Sequence, residues 1–337
     1  MPEPGRMFWK SLLTVRRAEG EEFWLRRRRR PGLDPSYGEP RLAAVRAAAA
    51  GGAEGWAEVR RELAAAGDDE DRTFLVEGLA TVSGLEHWID GVAAGAPDDP
   101  LPLLVRAARR AQRTGRGRRW GVGVRAPAPA PAAAEELAAA EEELREVARL
   151  RPEWATPHHL LLVCGQGLGV DADTARQRFA EVVRRAPGHL AAHRACVQQL
   201  AGAPDGSPQR ALAFAREAAG AAPAGSPLGE LVAWARLSEW AALGADPDAP
   251  SLRRPEAVAE LRAAVERSAL HPEFVRRRDW PLTANAFAMA CALAGDHVSA
   301  RRLFRMVGDQ ATESPWRLLD ERSPLVPFTA LRRRVTV

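Results

Sequence analysis

Apolar and polar positions along this chain follow helical rather than strand periodicity. Convincing period-two alternation is absent and β-branched residues are sparse, which removes the usual signature of half-buried strands. Ala, Leu, Arg and Glu dominate the long segments, and all four are strong helix formers. Pro and Gly divide these segments into lengths ordinary for globular helices. The pattern predicts helices near 39–50, 54–66, 69–82, 84–94 and 100–114, then near 132–150, 153–168, 171–186, 188–202 and 208–221. Further helices are predicted near 226–243, 253–269, 282–294 and 296–309. The expected fold class is all-α, with antiparallel helix pairs stacked as a solenoid.

Breaks in the pattern suggest an organisation. A basic N-terminal segment (1–38) precedes an N-terminal helical block (39–112). The connector 113–134, "RTGRGRRWGVGVRAPAPAPAAA", is Gly/Arg-rich and then alternates Ala with Pro, a composition that favours a stiff, extended chain. It either separates two helical blocks or loops out of one continuous stack, and separation is the working expectation. A repeat region (135–311) and a C-terminal tail (312–337) follow.

Internal repeats are visible in the second block. Ala140, Leu144 and Pro152 recur as Ala175, Phe179 and Pro187, and then as Ala211, Ala215 and Pro223, so the units step by 35 and 36 residues. Near the C-terminus "GDHVSARRLF" again places Ala300 four residues before Phe304, with Pro315 after them. A small residue lets the second helix of a pair approach the first, a larger one a turn later fills the gap, and proline ends the helix. This spacing resembles the tetratricopeptide repeat (TPR), whose second helix carries an A-x3-F…P pattern on a period of about 34 residues. The W-x2-L-G-x2-Y signature of the first TPR helix is missing, so the resemblance is to a TPR-like array. "LRPEW", "RFAEVVRRAPGHLAAHRACVQQLAGAPDGSPQRALAFAREAA" and "NAFAMACALAGDHVSARRLFRMVGDQATESPW" are similar to TPR-like proteins of unknown function from high-GC actinobacteria. That resemblance implies the fold and no particular chemistry, cofactor or site.

Composition narrows the function classes. With 337 residues, 46% hydrophobic, the chain can bury a large core. No run approaches the ~18 apolar residues of a membrane span, and "SLLTV" is too short for a secretory signal. Cys164, Cys196 and Cys291 are too scattered for a disulfide framework, so a cytoplasmic location is expected. Lys10 is the only lysine and ten Trp stand against one Tyr, a pattern of GC-rich coding rather than of selection for phosphate contacts. The formal net charge of +4 is also local: residues 1–30 carry nine basic and four acidic side chains, and the remainder carries 39 and 40. The run Arg26, Arg27, Arg28, Arg29 and Arg30 could dock on an anionic surface, nucleic acid or acidic membrane. The "MFWKSLLTVRR" before it could form a short amphipathic helix.

Candidate chemistry is thin. His189, His193 and Cys196 share one helix face at i, i+4 and i+7, a spacing that could offer three ligands to zinc. Cys164, His158 and His159 lie on the preceding helix. No C-x-x-C or H-E-x-x-H supports the idea; Cys196, Val197 and Leu200 read as a buried stripe, and His189 is expected half exposed at the helix start. "GQGLGVD" (Gly165, Gly167, Gly169) follows a helix rather than a strand and reads as a helix C-cap. Asp68, Asp69, Glu70 and Asp71, like Asp171 and Asp173, precede helices where carboxylates cap amides and complement the dipole. Trp88, Trp154, Trp234, Trp240, Trp280 and Trp316 are expected in inter-helix packing. Trp120, flanked by Arg116, Arg118 and Arg119, is a candidate partner anchor.

No catalytic residue, cofactor or firm metal site is therefore expected. The leading expectation is a non-catalytic scaffold that binds another protein or peptide. The alternative is an adaptor docking through Arg26–Arg30, and a metal-dependent enzyme at His189, His193 and Cys196 comes last.

Overall fold

The computed structural model describes residues 31–114 and 129–336. Among these it contains fifteen α-helices and one pair of two-residue strands. The first block holds α1 (Pro40–Ala50), α2 (Trp56–Ala64), α3 (Asp69–Ala80), α4 (Ile89–Gly95) and α5 (Pro100–Arg113). The second holds α6 (Pro131–Leu150), α7 (Thr156–Leu168), α8 (Ala172–Val183), α9 (Leu190–Gly202), α10 (Pro208–Ala221), α11 (Glu230–Ala242), α12 (Pro255–Arg267), α13 (Trp280–Ala294), α14 (His297–Val307) and α15 (Leu325–Thr336). Strand β1 (Gly32–Leu33) pairs in parallel with β2 (Gln310–Ala311), joining opposite ends of the chain.

Capping residues set several boundaries as their sequence position suggests. Asp68 accepts a hydrogen bond from the Asp71 amide at 2.7 Å, and Asp171 one from the Thr174 amide at 2.6 Å. Gly169 closes α7 in the left-handed conformation, φ +71°. Gly165 and Gly167 instead lie inside α7, and a Cβ on Gly167 would come 2.6 Å from Leu137 Cδ1. The glycine at 167 is thus what lets α6 and α7 approach closely.

Packing follows an alternating rule. From α5 onward each helix packs on its sequence neighbours, while α5, α7, α9, α11, α13 and α15 also pack successively on one another. These odd-numbered helices form an inner row and α6, α8, α10, α12 and α14 an outer one. The outer helices bury a single stripe, for example Ala257, Leu261 and Val265 on α12, as expected of amphipathic surface helices. Inner helices other than α15 bury most of their residues; in α13 residues 281–294 are all buried. The repeat alanines Ala140, Ala175, Ala211 and Ala300 are fully buried on outer helices.

Two expectations are corrected. The helices flanking the connector do not belong to separate cores: α5 packs on α6, and one apolar cluster runs from Leu42 through Ala111 to Leu137 and Cys164. The apolar faces of α5 and α6 complement each other directly, so the chain between them need not separate anything. Residues 312–337 are not simply a tail, because α15 packs on α13 and α14 and closes the array's end. Its Phe328 ring meets Trp316 edge-on at 5.3 Å and Phe304 at 5.5 Å. The Trp316 indole donates to Asn285 Oδ1 at 2.7 Å, and the Asn285 amide donates to the Gln310 carbonyl at 3.0 Å, which fixes β2 beside α13.

Because Phe328 is fully buried in this aromatic cluster, Phe328→Ala is expected to cost about 3–5 kcal/mol through lost burial and a residual cavity. Urea unfolding should show a lower midpoint; a midpoint equal to wild type would mean that α15 is not part of the cooperative core.

Candidate functional site

The N-terminal block lies over the inner row. Helix α3 packs on α5, α7 and α9, and residues 33–37 run alongside. Between this cover and the inner row are two cavities, of about 430 and 330 Å³, with Phe74, Glu77 and Asp279 on the walls of both. The larger is lined by inner-row residues such as Gln166, Gln198 and Leu282, and by Tyr37 from the cover. The smaller opens beside Val275, which is 59% exposed.

Charged residues clamp the cover in place. Arg278, at φ +50°, donates to both oxygens of Asp68 at 2.7 Å, to Glu70 at 2.9 Å and to Asp71 at 2.5 Å. The N-cap Asp68 and the first-turn Glu70 and Asp71 of α3 therefore also hold a residue some 207–210 positions later. Glu70 accepts in addition from the Leu190 amide at 2.6 Å, tying α3 to the start of α9. Burial raises the Glu70 pKa above its ordinary value, against the pull of that amide and of Arg278.

In the wall of the larger cavity, fully buried Arg194 on α9 is gripped by Glu230 on α11 and by Asp279. Glu230 also accepts from the Trp234 indole at 3.2 Å. Burial works against the Arg194 charge, but Asp279 and Glu230 outweigh it and hold its pKa above the usual arginine value. An ion pair taken this far from water is stabilising only when its hydrogen bonds are made, and here three groups share them.

Three histidines pack beside this network. The rings of His159 and His189 lie 5.2 Å apart. His189 Nδ1 accepts from the Ala192 amide at 3.2 Å, capping α9; in the neutral ring this leaves the proton on Nε2, which donates to Thr73 Oγ1 at 3.0 Å. Thr73 in turn donates to Thr156 Oγ1 at 3.0 Å, and Thr156 reaches Asp69 Oδ1 at 3.2 Å. His159 Nε2 meets Glu77 Oε1 at 2.7 Å. Burial, reinforced by the neighbouring histidines, pushes the His189 pKa well below its ordinary value, and burial also lowers that of His193.

The histidine–cysteine face therefore does not converge. His189 is buried rather than half exposed, and its Nδ1 lone pair is taken by the helix cap. His193 donates from Nδ1 to the His189 carbonyl at 2.9 Å and sets its ring against Phe179, 4.8 Å between centres. Cys196 lies in the apolar core, where burial raises its thiol to about 12. Among the described residues no group of three or more His, Cys, Asp or Glu side chains is placed to hold a metal ion. Arg26–Arg30 and Trp120 lie outside the described residues. Of the other tryptophans, Trp154 stacks under Arg72 at 4.1 Å, Trp280 under Arg276 at 4.8 Å, and Trp88 lies 6.3 Å from Trp56. Among the described residues no helix is long and apolar enough to cross a membrane.

The sequence reading missed Tyr37, Phe74, Glu77, Arg194, Arg278 and Asp279. Their spacing carries no motif; only the unusual cost of an arginine inside the apolar run of α9 could have drawn attention to one of them. Comparison of the chain with protein-family models, with curated proteins and with solved structures finds no match.

A histidine whose folded pKa is lowered stabilises the fold above its unfolded pKa, near 6.5, and that stability is lost as the pH falls below it. The urea midpoint should therefore fall between about pH 7.5 and 5.5. His189→Asn, which keeps a capping oxygen, should flatten this fall by up to about 1.4 kcal/mol per pH unit. An unchanged slope would show that His189 is not the group charging on unfolding.

Proposed function

We propose that this chain is a TPR-like helical-repeat scaffold, without catalytic activity, that binds a segment of another protein in the passage between its inner row and α3. The observation that carries this reading is the inner row itself. Four of its six helices, α5, α7, α9 and α13, line one or both of two cavities, the place where helical arrays offer their binding surface. The buried alanines of the outer helices support the TPR-like assignment. The passage is narrower than an open groove because α3 and residues 33–37 occupy part of it, so the bound segment would be short and extended. The fold analogy bears on the binding mode and not on the partner.

A photo-crosslinking side chain at Val275, at the mouth of the smaller cavity, should give a discrete adduct in a lysate of the native host. The same group at Glu217, exposed on outer helix α10, should not. Equal adducts from both positions, or adducts from Glu217 alone, would remove the passage as the binding surface.

The segregation of charge favours a second reading, an adaptor that docks on anionic membrane or nucleic acid through Arg26–Arg30. The excess of five positive charges within residues 1–30, against one negative in the remainder, would give binding that weakens steeply with salt. The full chain should then bind vesicles containing phosphatidylserine at low salt, and a chain with Arg26–Arg30 replaced by Ser should not. Retention by the Ser variant would exclude the segment as the docking element.

A further inference from the structure

The junction of the two cavities has a composition of its own, and we propose that it is a binding site for an organic cation. An alkylammonium or guanidinium group would sit between the carboxylates of Glu77 and Asp279, against the rings of Phe74 and Tyr37. This inference deepens the scaffold reading and rests on it only for the source of the cation.

Geometry supplies the first argument. Phe74, Glu77 and Asp279 face both cavities, so whatever enters from either side meets these three. The Tyr37 ring lies 6.1 Å from Phe74, which sets two aromatic faces beside two carboxylates. A cation within about 6 Å of an aromatic face is attracted by the ring quadrupole, more strongly where water is excluded. Glu77 commits Oε1 to His159, and Asp279 commits Oδ2 to Arg194. The other oxygen of each carboxylate has no hydrogen-bond partner among the described residues, and neither has the Tyr37 hydroxyl. Burial and then the charges of Asp279, Glu77 and Glu313 raise the Tyr37 pKa, so the hydroxyl stays a neutral donor or acceptor among carboxylates.

Charge supplies the second argument. Six carboxylates line the two cavities, and three more pair with lining arginines, namely Glu230 with Arg194 and Asp68 and Asp71 with Arg278. Five arginines line the same cavities. The two linings and their ion-pair partners together therefore carry an excess of four carboxylates in a chain whose formal net charge is +4. His189 on the same wall is held neutral by burial and adds no positive charge. Arg46, which lines the same cavity as Tyr37, is turned to the Gly78 carbonyl and the Thr81 hydroxyl. An anion entering here would meet unpaired carboxylate oxygens, whereas a cation would complete them.

Such a cation could be a free polyamine or the Lys or Arg side chain of a bound peptide. Calorimetric titration of the full chain at low salt would use spermidine, 1,4-diaminobutane and an end-capped Lys/Arg pentapeptide, with 1,4-butanediol as the uncharged control. At least one cation should bind with 1:1 stoichiometry while the diol does not. Glu77→Gln, which keeps an oxygen for His159, should weaken binding by about tenfold or more, and Phe74→Leu should weaken it about fivefold. The two variants touch different parts of the site, so either one that keeps the wild-type urea midpoint suffices for the test. No binding up to about 10 mM, or binding that neither variant weakens, would overturn the cation site. Peptide binding insensitive to Glu77 and Phe74 would overturn it while leaving the scaffold reading intact. Spermidine binding that depends on Glu77, without peptide binding, would establish the cation site and count against the scaffold reading.

Discussion

Everything in this fold depends on covering the inner row. A helix such as α13, with residues 281–294 buried on every side, cannot stand at the edge of an open array, because its second apolar face would lie in water. Outer helices cover one side of the row. On α5, α7 and α9 the other side is covered by α3, which comes from near the opposite end of the chain, and beside α13 it is taken by β2 and Trp316. Burial of apolar surface drives that return, but apolar contact is non-directional and cannot by itself set where the cover sits. The directional part falls to charged groups: Arg278 across Asp68, Glu70 and Asp71, and Arg194 between Glu230 and Asp279. Both sets place one guanidinium among several carboxylates. This geometry is costly to desolvate unless every partner is in place, and that requirement gives the closed arrangement its register.

The parts of this architecture that were legible in the sequence are those set by local physics. Outer helices could be read because a single buried stripe produces a clear 3.6-residue period, and because Ala140, Ala175 and Ala211 repeat that stripe at near-equal steps. Asp68, Asp171 and Gly169 mark helix ends through side-chain or backbone geometry that acts within four residues. Helix α15 escaped because Pro327, an interior position elsewhere unfavourable, falls in its first turn, where the missing amide costs nothing. The β1–β2 pair escaped because two-residue strands carry no period at all.

The site was less legible for a related reason. The spacing of His189, His193 and Cys196 correctly places them along one helix, but a helix face does not say which nitrogen is already engaged. At His189 the cap to Ala192 decides the tautomer, and at His193 the bond to the His189 carbonyl does the same. What remains of each ring faces Thr73, Phe179 or other packed groups. The residues at the cavity junction come from positions 37, 74, 77, 194 and 279, on four separate stretches of chain. No motif can span them, since only the return of α3 onto α7 and α9 brings them together.

Charge shows the same gap between sequence and space. Along the chain, positive charge concentrates in residues 1–30 and the remainder balances to within one unit. In space, that balanced remainder separates: carboxylates gather around the cavities, and many arginines are spent on local outer-helix pairs such as Arg149 with Glu146 and Arg184 with Glu181. Pairs of that exposed kind add little stability, yet they remove cations that could otherwise have neutralised the centre. A narrow passage with low-dielectric walls focuses whatever field remains inside it. The near-zero charge of the helical body therefore says nothing about the potential at Glu77 and Asp279.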